Sequence, residues 1–462
     1  MKTFKKTLAG IFAAVTVLGV AACGGGTTGN SESNGTSGST GGTTGKKDFE
    51  LQIFSGGYGS EMWSYAVREF EKDHPEYNVK LYMSNTVNDS MADRWKNGNP
   101  PDFVFLDGTL DKNTWLYEDM LYDFTDWLKT AKVAGEDVLV KDKIYTEYAF
   151  KGKTYEGKTI TYGMPLVIGS YGMWYDQSLF DENNWTVPTK YSELIDFATN
   201  SATKDIPAMI YPGVYSGYLV QGLILPAMAE YGEEFFNRVE NALDAEVFES
   251  AEFKDVMNRF ANFAKITNSF SRTNDGKPGC LSMDHTVSQL QWLNRAAAFI
   301  PNGLWLRNEI ENDIKEAKDN YPDTFPSNFE MKYTASPLVK EQQYIMTSSV
   351  TCGVAAEGDN KEAALEFITY LYRDDIAEKF AKCTNSPSVA KIELKGEDIS
   401  DVLKYTQQVM NDPKYKHINH VGSWGGVDSV FNQGVNSIAA GTKTVDEVCK
   451  ELADAARKQL SK

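Results

Sequence analysis

From residue 50 onward the apolar positions switch repeatedly between a period of two and a period near 3.6. Glu50–Phe54 reads as a strand and Ser55–Gly59 as the loop after it; Met62, Ala66 and Phe70 then share one helix face, and His74-Pro75 ends that helix. A second strand over Asn78–Met83, a helix around Met91–Trp95 and a third strand inside Pro100–Asp107 follow. This order predicts an α/β fold with a sheet of mainly parallel strands. Ligands sit at the carboxyl ends of strands in such sheets, which places Tyr58, Asn85 and Asp107 on the rim of a cleft. The plainer reading of each is an ordinary loop residue.

Farther on, residues 145–160 read as a hairpin with two glycine turns. They contain Gly152, Gly157, Lys158 and Thr159 at the spacing of a phosphate-binding loop. That loop needs a helix opening at its lysine, whereas Thr159, Ile160, Thr161 and Tyr162 are strand formers, so the nucleotide reading fails on context. Thr161–Phe180 reads as a buried strand, with Gly163 and Pro165 suited to a hinge and Gly169 and Gly172 allowing close approach. Helix is expected at Tyr191–Ala198 and over much of 233–268. An aromatic loop at Ile210–Gly217 precedes an apolar segment, Leu219–Met228, interrupted by Pro226. Ala364, Phe367, Ile368 and Leu371 form the buried stripe of a helix capped by Asp359 or Asn360, and Thr444 with Glu447 forms a capping box.

The amino terminus changes the picture. Lys2, Lys5 and Lys6 precede an apolar stretch, Leu8–Val20, too short to span a membrane as a mature helix. Val20-Ala21-Ala22-Cys23 matches a lipobox, which predicts cleavage before Cys23 and lipidation of that residue; the alternative is an ordinary signal peptide cut after Ala22. Residues 24–47 are nearly all Gly, Ser, Thr and Asn, a composition that makes a flexible tether. What remains, Asp48–Lys462, is longer than one core usually supports, so two lobes are expected. A net charge of -18 without a basic stripe argues against nucleic acid. Cys280, Cys352, Cys383 and Cys449 are too widely spaced for a zinc knuckle, and spacing leaves their disulfide state open. His417 and His420 alone make a weak metal site. No H-E-x-x-H or G-x-S-x-G occurs.

Several segments, in order, resemble one family. Pro165, Tyr175, Asp176, Leu179 and Phe180 are similar to the lobe crossover of the extracellular solute-binding proteins of ATP-driven sugar importers, the maltose-binding-protein-like family. Ala296–Trp305, with Asn302-Gly303-x-Trp305, Gly353–Ala356 with Asn360–Ile368, Asn385–Ser388 and Ser423–Gly426 resemble further family segments in collinear order. The resemblance implies a two-lobed, type II periplasmic-binding-protein-like fold with a ligand cleft at a hinge. The expected division is 1–22 leader, 23–47 lipidated cysteine and linker, 48–162 with 341–385 as one lobe, and 163–340 with 386–462 as the other. It also implies that Trp305 and Trp424 stand where the family stacks sugar rings, the alternative for Trp305 being a core tryptophan. Gly169 and Leu106 stand where maltose-binding protein places an acidic residue and a tryptophan, so maltodextrin specificity is not implied. Ala298–Glu309 is more similar to the N-acetylglucosamine- and chitobiose-binding branch.

Sugar rings stack their C–H faces on aromatics, and their hydroxyls need planar polar partners. Tyr58, Asn85, Asp107, Tyr171, Tyr215, Asn302, Trp305, Asn308, Glu309 and Trp424 supply both kinds. The reading is a monomeric receptor with no catalytic residue, cofactor or metal, held at the outer face of the cell membrane by its lipid alone. It would capture an oligosaccharide and pass it to the permease subunits of an ABC transporter. A surface glycoside hydrolase is the alternative, because paired carboxylates cannot be seen in sequence.

Overall fold

The computed structural model describes residues 45–461 except 109, 111–114, 116–117, 154–158, 202–204, 241, 243, 271–277, 321–324, 414 and 420–426. The leader, Cys23, most of the linker, the turn of the 145–160 hairpin, His420 and Trp424 therefore lie outside the described residues. Strands β1 (Lys47–Phe54), β2 (Tyr77–Ser84) and β3 (Phe103–Phe105) run parallel, with β1 between the other two. The intervening helices are Glu61–Asp73, which buries Met62, Ala66 and Phe70, and Val87–Lys96. The expected α/β order is thus observed. A short strand β4 (Phe150–Lys153) pairs antiparallel with the start of β5 (Thr159–Asp176). Strands β6 (Phe299–Gly303), β7 (Met331–Thr334), β8 (Gln343–Val354) and β9 (Tyr415–Asn419) complete the sheet. The expected mainly parallel sheet is not observed: among the described strands β3–β8, β4–β5, β5–β6, β5–β7 and β5–β8 all pair antiparallel, because long β5 and β8 cross back through the sheet.

Two long strands organise the rest. β5 and β8 pair antiparallel through Met164–Ser170 and Thr347–Cys352, with an irregularity between Pro165 and Val167. Beyond that pairing β5 continues between β6 and β7, while the other end of β8 pairs with β3. The buried side chains follow the same division. One core gathers Phe49, Leu51, Trp63, Phe103, Met164–Ile168, Val350, Val354, Phe367 and Phe380. The other gathers Met173, Trp174, Phe180, the helix Ala251–Lys265, Phe299, Tyr344, Met346 and the helices Asp428–Ala439 and Val445–Leu460. β5 and β8 each contribute side chains to both cores, and residues 386–389 lie beside them: the Ile168 amide donates to the Pro387 carbonyl at 2.8 Å, and the Val389 amide to Leu166 at 3.2 Å.

Local expectations meet mixed outcomes. Ala364, Phe367, Ile368 and Leu371 are all buried, and the Thr444–Glu447 capping box forms in both directions. Asn360 stands at the N-cap, but its side chain does not cap the helix. Its amide instead donates to the Asp48 carbonyl, and its backbone N–H goes to Asp102, whose other oxygen accepts from Glu50. Asp102 is 2% exposed and thereby joins β1 to that helix; burial raises its pKa against these bonds. Pro226 does not interrupt its segment. Residues 217–229 are helical throughout, with a widened turn at Val220–Ile224 just ahead of the proline. A π turn relieves the clash between the proline ring and the preceding turn. None of the four cysteines in the described residues is in a disulfide.

Candidate functional site

A cavity of about 1190 Å³ lies between the two cores. The first core reaches it through the carboxyl ends of its parallel strands. Tyr58 follows β1, Asn85 follows β2 and Asp107 follows β3, and all three line the cavity. A buried polar relay holds the last of these loops. The Trp95 indole donates to Gln52 Oε1 at 2.8 Å, Gln52 Nε2 to Asn88 Oδ1 at 2.9 Å, and Asn88 Nδ2 to the Asp107 carbonyl at 2.9 Å. Gln52 is fully buried, so each link satisfies a group that would otherwise be costly.

The second wall carries Tyr171 from β5, Tyr215 and Tyr218 from the aromatic loop and the widened helix, and Trp305 and Glu309 beyond β6. Seven of the nine ligand positions expected from sequence therefore line one cavity: Tyr58, Asn85, Asp107, Tyr171, Tyr215, Trp305 and Glu309. Asn302 does not. It sits fully buried in β6 opposite Gly172, its Oδ1 accepts from the Gly303 amide, and its Nδ2 has no partner among the described residues. Trp424 is outside the described residues. Asn308, also a candidate, lines the cavity but turns its amide to the Cys383 carbonyl and to Asn385.

Trp305 is 9% exposed and ringed by tyrosines: Tyr171 at 5.0 Å, Tyr58 at 5.5 Å and Tyr218 at 6.2 Å between centroids. Two glycines make room for this cluster. A Cβ on Gly303 would stand 2.1 Å from the Trp305 ring, and one on Gly169 would stand 2.7 Å from the Tyr58 hydroxyl. The space beside Gly169 is thus filled by the Tyr58 hydroxyl. Burial pushes the phenols of Tyr58, Tyr171 and Tyr218 up, so they stay protonated and can donate hydrogen bonds. Burial also raises the Glu309 carboxyl, as does the charge of Asp107; a hydrogen bond from Gln289 at 2.7 Å and the nearby His285 oppose this. The cavity is therefore lined by aromatics with protonated phenols and by the carboxyl groups of Asp107 and Glu309 among others, a surface that can stack on a ring and pair with its polar edges.

Sequence reasoning missed Tyr218, Gln221, Gln289, Ser348, Ser349 and Thr351 on this wall. A signal existed for the last group, since Thr347-Ser348-Ser349 and Thr351 put a cluster of hydroxyls into a largely apolar strand. Away from the cavity, His74 stands 3.3 Å from Glu76 and 3.5 Å from Glu366, the group among the described residues whose ligand atoms are spaced to hold a cation. No helix among the described residues is long and apolar enough to cross a membrane.

Comparison with known proteins places this geometry. The diacetylchitobiose binding protein NgcE of Streptomyces coelicolor is 23% identical over 344 residues, covering 74% of this chain and 69% of that protein. RafE of Streptococcus pneumoniae, in its apo form, superposes with a TM-score of 0.67 at 16% identity, covering 90% of this chain and 99% of RafE. A chitin oligosaccharide binding protein superposes at 0.63 and 17% identity, covering 88% of this chain and 98% of its own. These superpositions give the fold: two lobes around a cleft, of the type II periplasmic-binding-protein kind. The family model for bacterial extracellular solute-binding proteins matches residues 65–405, and the chain belongs to that family.

Proposed function

We propose that this protein is the oligosaccharide-capturing component of an ABC importer. The observation that carries the reading is the cavity of about 1190 Å³ between the cores, lined by Tyr58, Tyr171, Tyr218 and Trp305 together with Asn85, Asp107, Glu309 and Gln289. It exceeds the roughly 300–1000 Å³ usual for small-molecule sites, so a ligand of several sugar rings fits better than a monosaccharide. The names of the diacetylchitobiose and chitin oligosaccharide binding proteins support the same class. The lobes, taken as 48–162 with 341–385 and 163–340 with 386–462, close on the ligand about the β5, β8 and 386–388 connections and present it to permease subunits. Calorimetry over chito-, xylo-, manno-, galacto- and malto-oligosaccharides tests the reading. At least one series should bind with micromolar affinity or better, and a flat response to every series would sink it.

Attachment is proposed through lipidated Cys23 and the 24–47 leash, with the protein working as a monomer at the outer membrane face. The lipobox supports this. Cys23→Ala should release the protein from membranes or leave an unlipidated precursor by mass; unchanged retention and mass would remove the anchor.

A second reading, a glycoside hydrolase, has one observation in its favour. Asp107 and Glu309 share the cavity, and Glu309 is shifted toward its protonated form. The receptor reading expects oligosaccharides to be recovered intact after prolonged incubation. Shortened products that vanish in Glu309→Gln would replace it.

A further inference from the structure

The short helix Leu306–Glu309 carries one face in the second core and turns the other to the first. Leu306 and Ile310, four positions apart and hence on one face, are fully buried in the second core. Trp305, Asn308 and Glu309 fall on the other face, and each meets an element of the first core. Trp305 packs among that core's buried side chains beside Tyr58. The Glu309 carboxylate lies against Gly57, where an added Cβ would come within 2.5 Å of it.

Asn308 goes further, because both ends of its amide are engaged. A backbone carbonyl can only accept, so the 2.9 Å contact with the Cys383 carbonyl fixes Nδ2 toward it. Oδ1 then faces, and accepts from, the Asn385 amide. Asn385 is itself held: it ends the helix Asp374–Thr384 in the left-handed conformation at φ 50°, and its Oδ1 accepts from the Ser400 hydroxyl. The next residues, 386–388, are the connection tied to β5.

We propose that Asn308 is a latch, a positioning residue that joins the cavity wall of one lobe to the 386–388 connection and holds the angle between the lobes. It spends its amide on that junction and leaves the ligand to Tyr58, Trp305 and Glu309. The inference rests on the capture reading only for its effect on binding; its effect on shape is independent of any ligand.

The test uses Asn308→Ala and Asn385→Gly, the latter chosen because glycine accepts the left-handed backbone while removing the side chain. Small-angle scattering of each ligand-free variant should give a larger radius of gyration than the parent protein. Affinity for the best-bound oligosaccharide of the panel should fall about threefold to tenfold, the scale of one or two neutral hydrogen bonds. Because both residues belong to one junction, the double variant should lose little more than either single one. An unchanged scattering curve in both variants overturns the latch, even if affinity drops, since Asn308 would then be a ligand contact. If Asn308→Ala fails to fold, Asn385→Gly alone decides. Should the parent bind no sugar while the variants still open, the latch stands and the capture reading falls.

Discussion

The Trp305 indole meets the Tyr171 ring edge to face, with centroids 5.0 Å apart and planes at 88°. Residues from two strands, β5 and the end of β6, thus hold a tryptophan upright against the opposite core. Trp305 lines the cavity and also belongs to the packed cluster of that core, so the two readings offered by sequence are both structural facts. Trp305→Ala should therefore weaken binding of the best oligosaccharide by about ten- to a hundredfold, the scale of one lost aromatic contact. It should also cost about 3 kcal/mol of stability, the lower end for truncating a buried aromatic. Calorimetry and urea denaturation read the two effects separately, and an unaltered affinity would assign the ring to the core alone.

Gly303→Ala tests the same ring without touching it. The new Cβ would stand 2.1 Å from a rigid indole, which must move. Affinity should fall nearly as far as in Trp305→Ala, with a shifted tryptophan emission. Parental binding and emission would show that the ring position is immaterial.

Glu309 gives a pH dependence. Burial raises its pKa above the ordinary 4.5, so the folded state holds its proton more tightly than the unfolded chain. Such a group stabilises the fold below 4.5 and loses that contribution as pH rises through its folded value. Glu309→Gln should flatten this part of the stability profile and raise the melting temperature at neutral pH. Superimposable profiles of parent and variant would contradict the burial argument.

The relay from Trp95 through Gln52 and Asn88 to Asp107 predicts a stability cost remote from any ligand contact. Asn88→Ala strands Gln52 Nε2 and removes one donor to the Asp107 carbonyl, for about 1–3 kcal/mol. A variant replacing both Gln52 and Asn88 by leucine should lose less than the sum of the two singles. Additive losses in chemical denaturation would mean that the two side chains act alone.

Thiol chemistry is equally direct. Among the described cysteines, Cys280, Cys352 and Cys449 are buried, Cys383 is half-buried, and none is in a disulfide. A thiol reagent added to native protein should reach Cys383 first, and the other three only on unfolding. A disulfide-linked peptide in a nonreducing digest would refute this.

What the sequence shows well is local. The alternation of β1 to β3, the stripe of Ala364, Phe367, Ile368 and Leu371, and the Thr444 cap each follow from periods and hydrogen bonds within a few residues. The rim residues Tyr58, Asn85 and Asp107 were legible because parallel strands fix where their ends lie. Asn360 was misread because its partners, Asp48 and Asp102, come from far upstream. Asn302 reads as a polar partner for a ligand, yet strand pairing opposite Gly172 buries it. Asn308 reads as a ligand donor and does line the cavity, but its amide is engaged by Cys383 and Asn385. In each case the deciding contact joins segments whose register no local pattern records.

The antiparallel pairing of β5 with β8 also governs the order in which the chain can be completed. Phe103 pairs with Val354, and the first core draws side chains from Phe49 through Ala390. Closing so long a loop carries an entropic cost that is repaid only when the distant strand arrives. The amino-terminal segments therefore have no finished core to join until most of the chain has been made. For a protein of an extracellular family, the pairing of β5 with β8 thus makes completion of the amino-terminal core wait on strands from far along the chain.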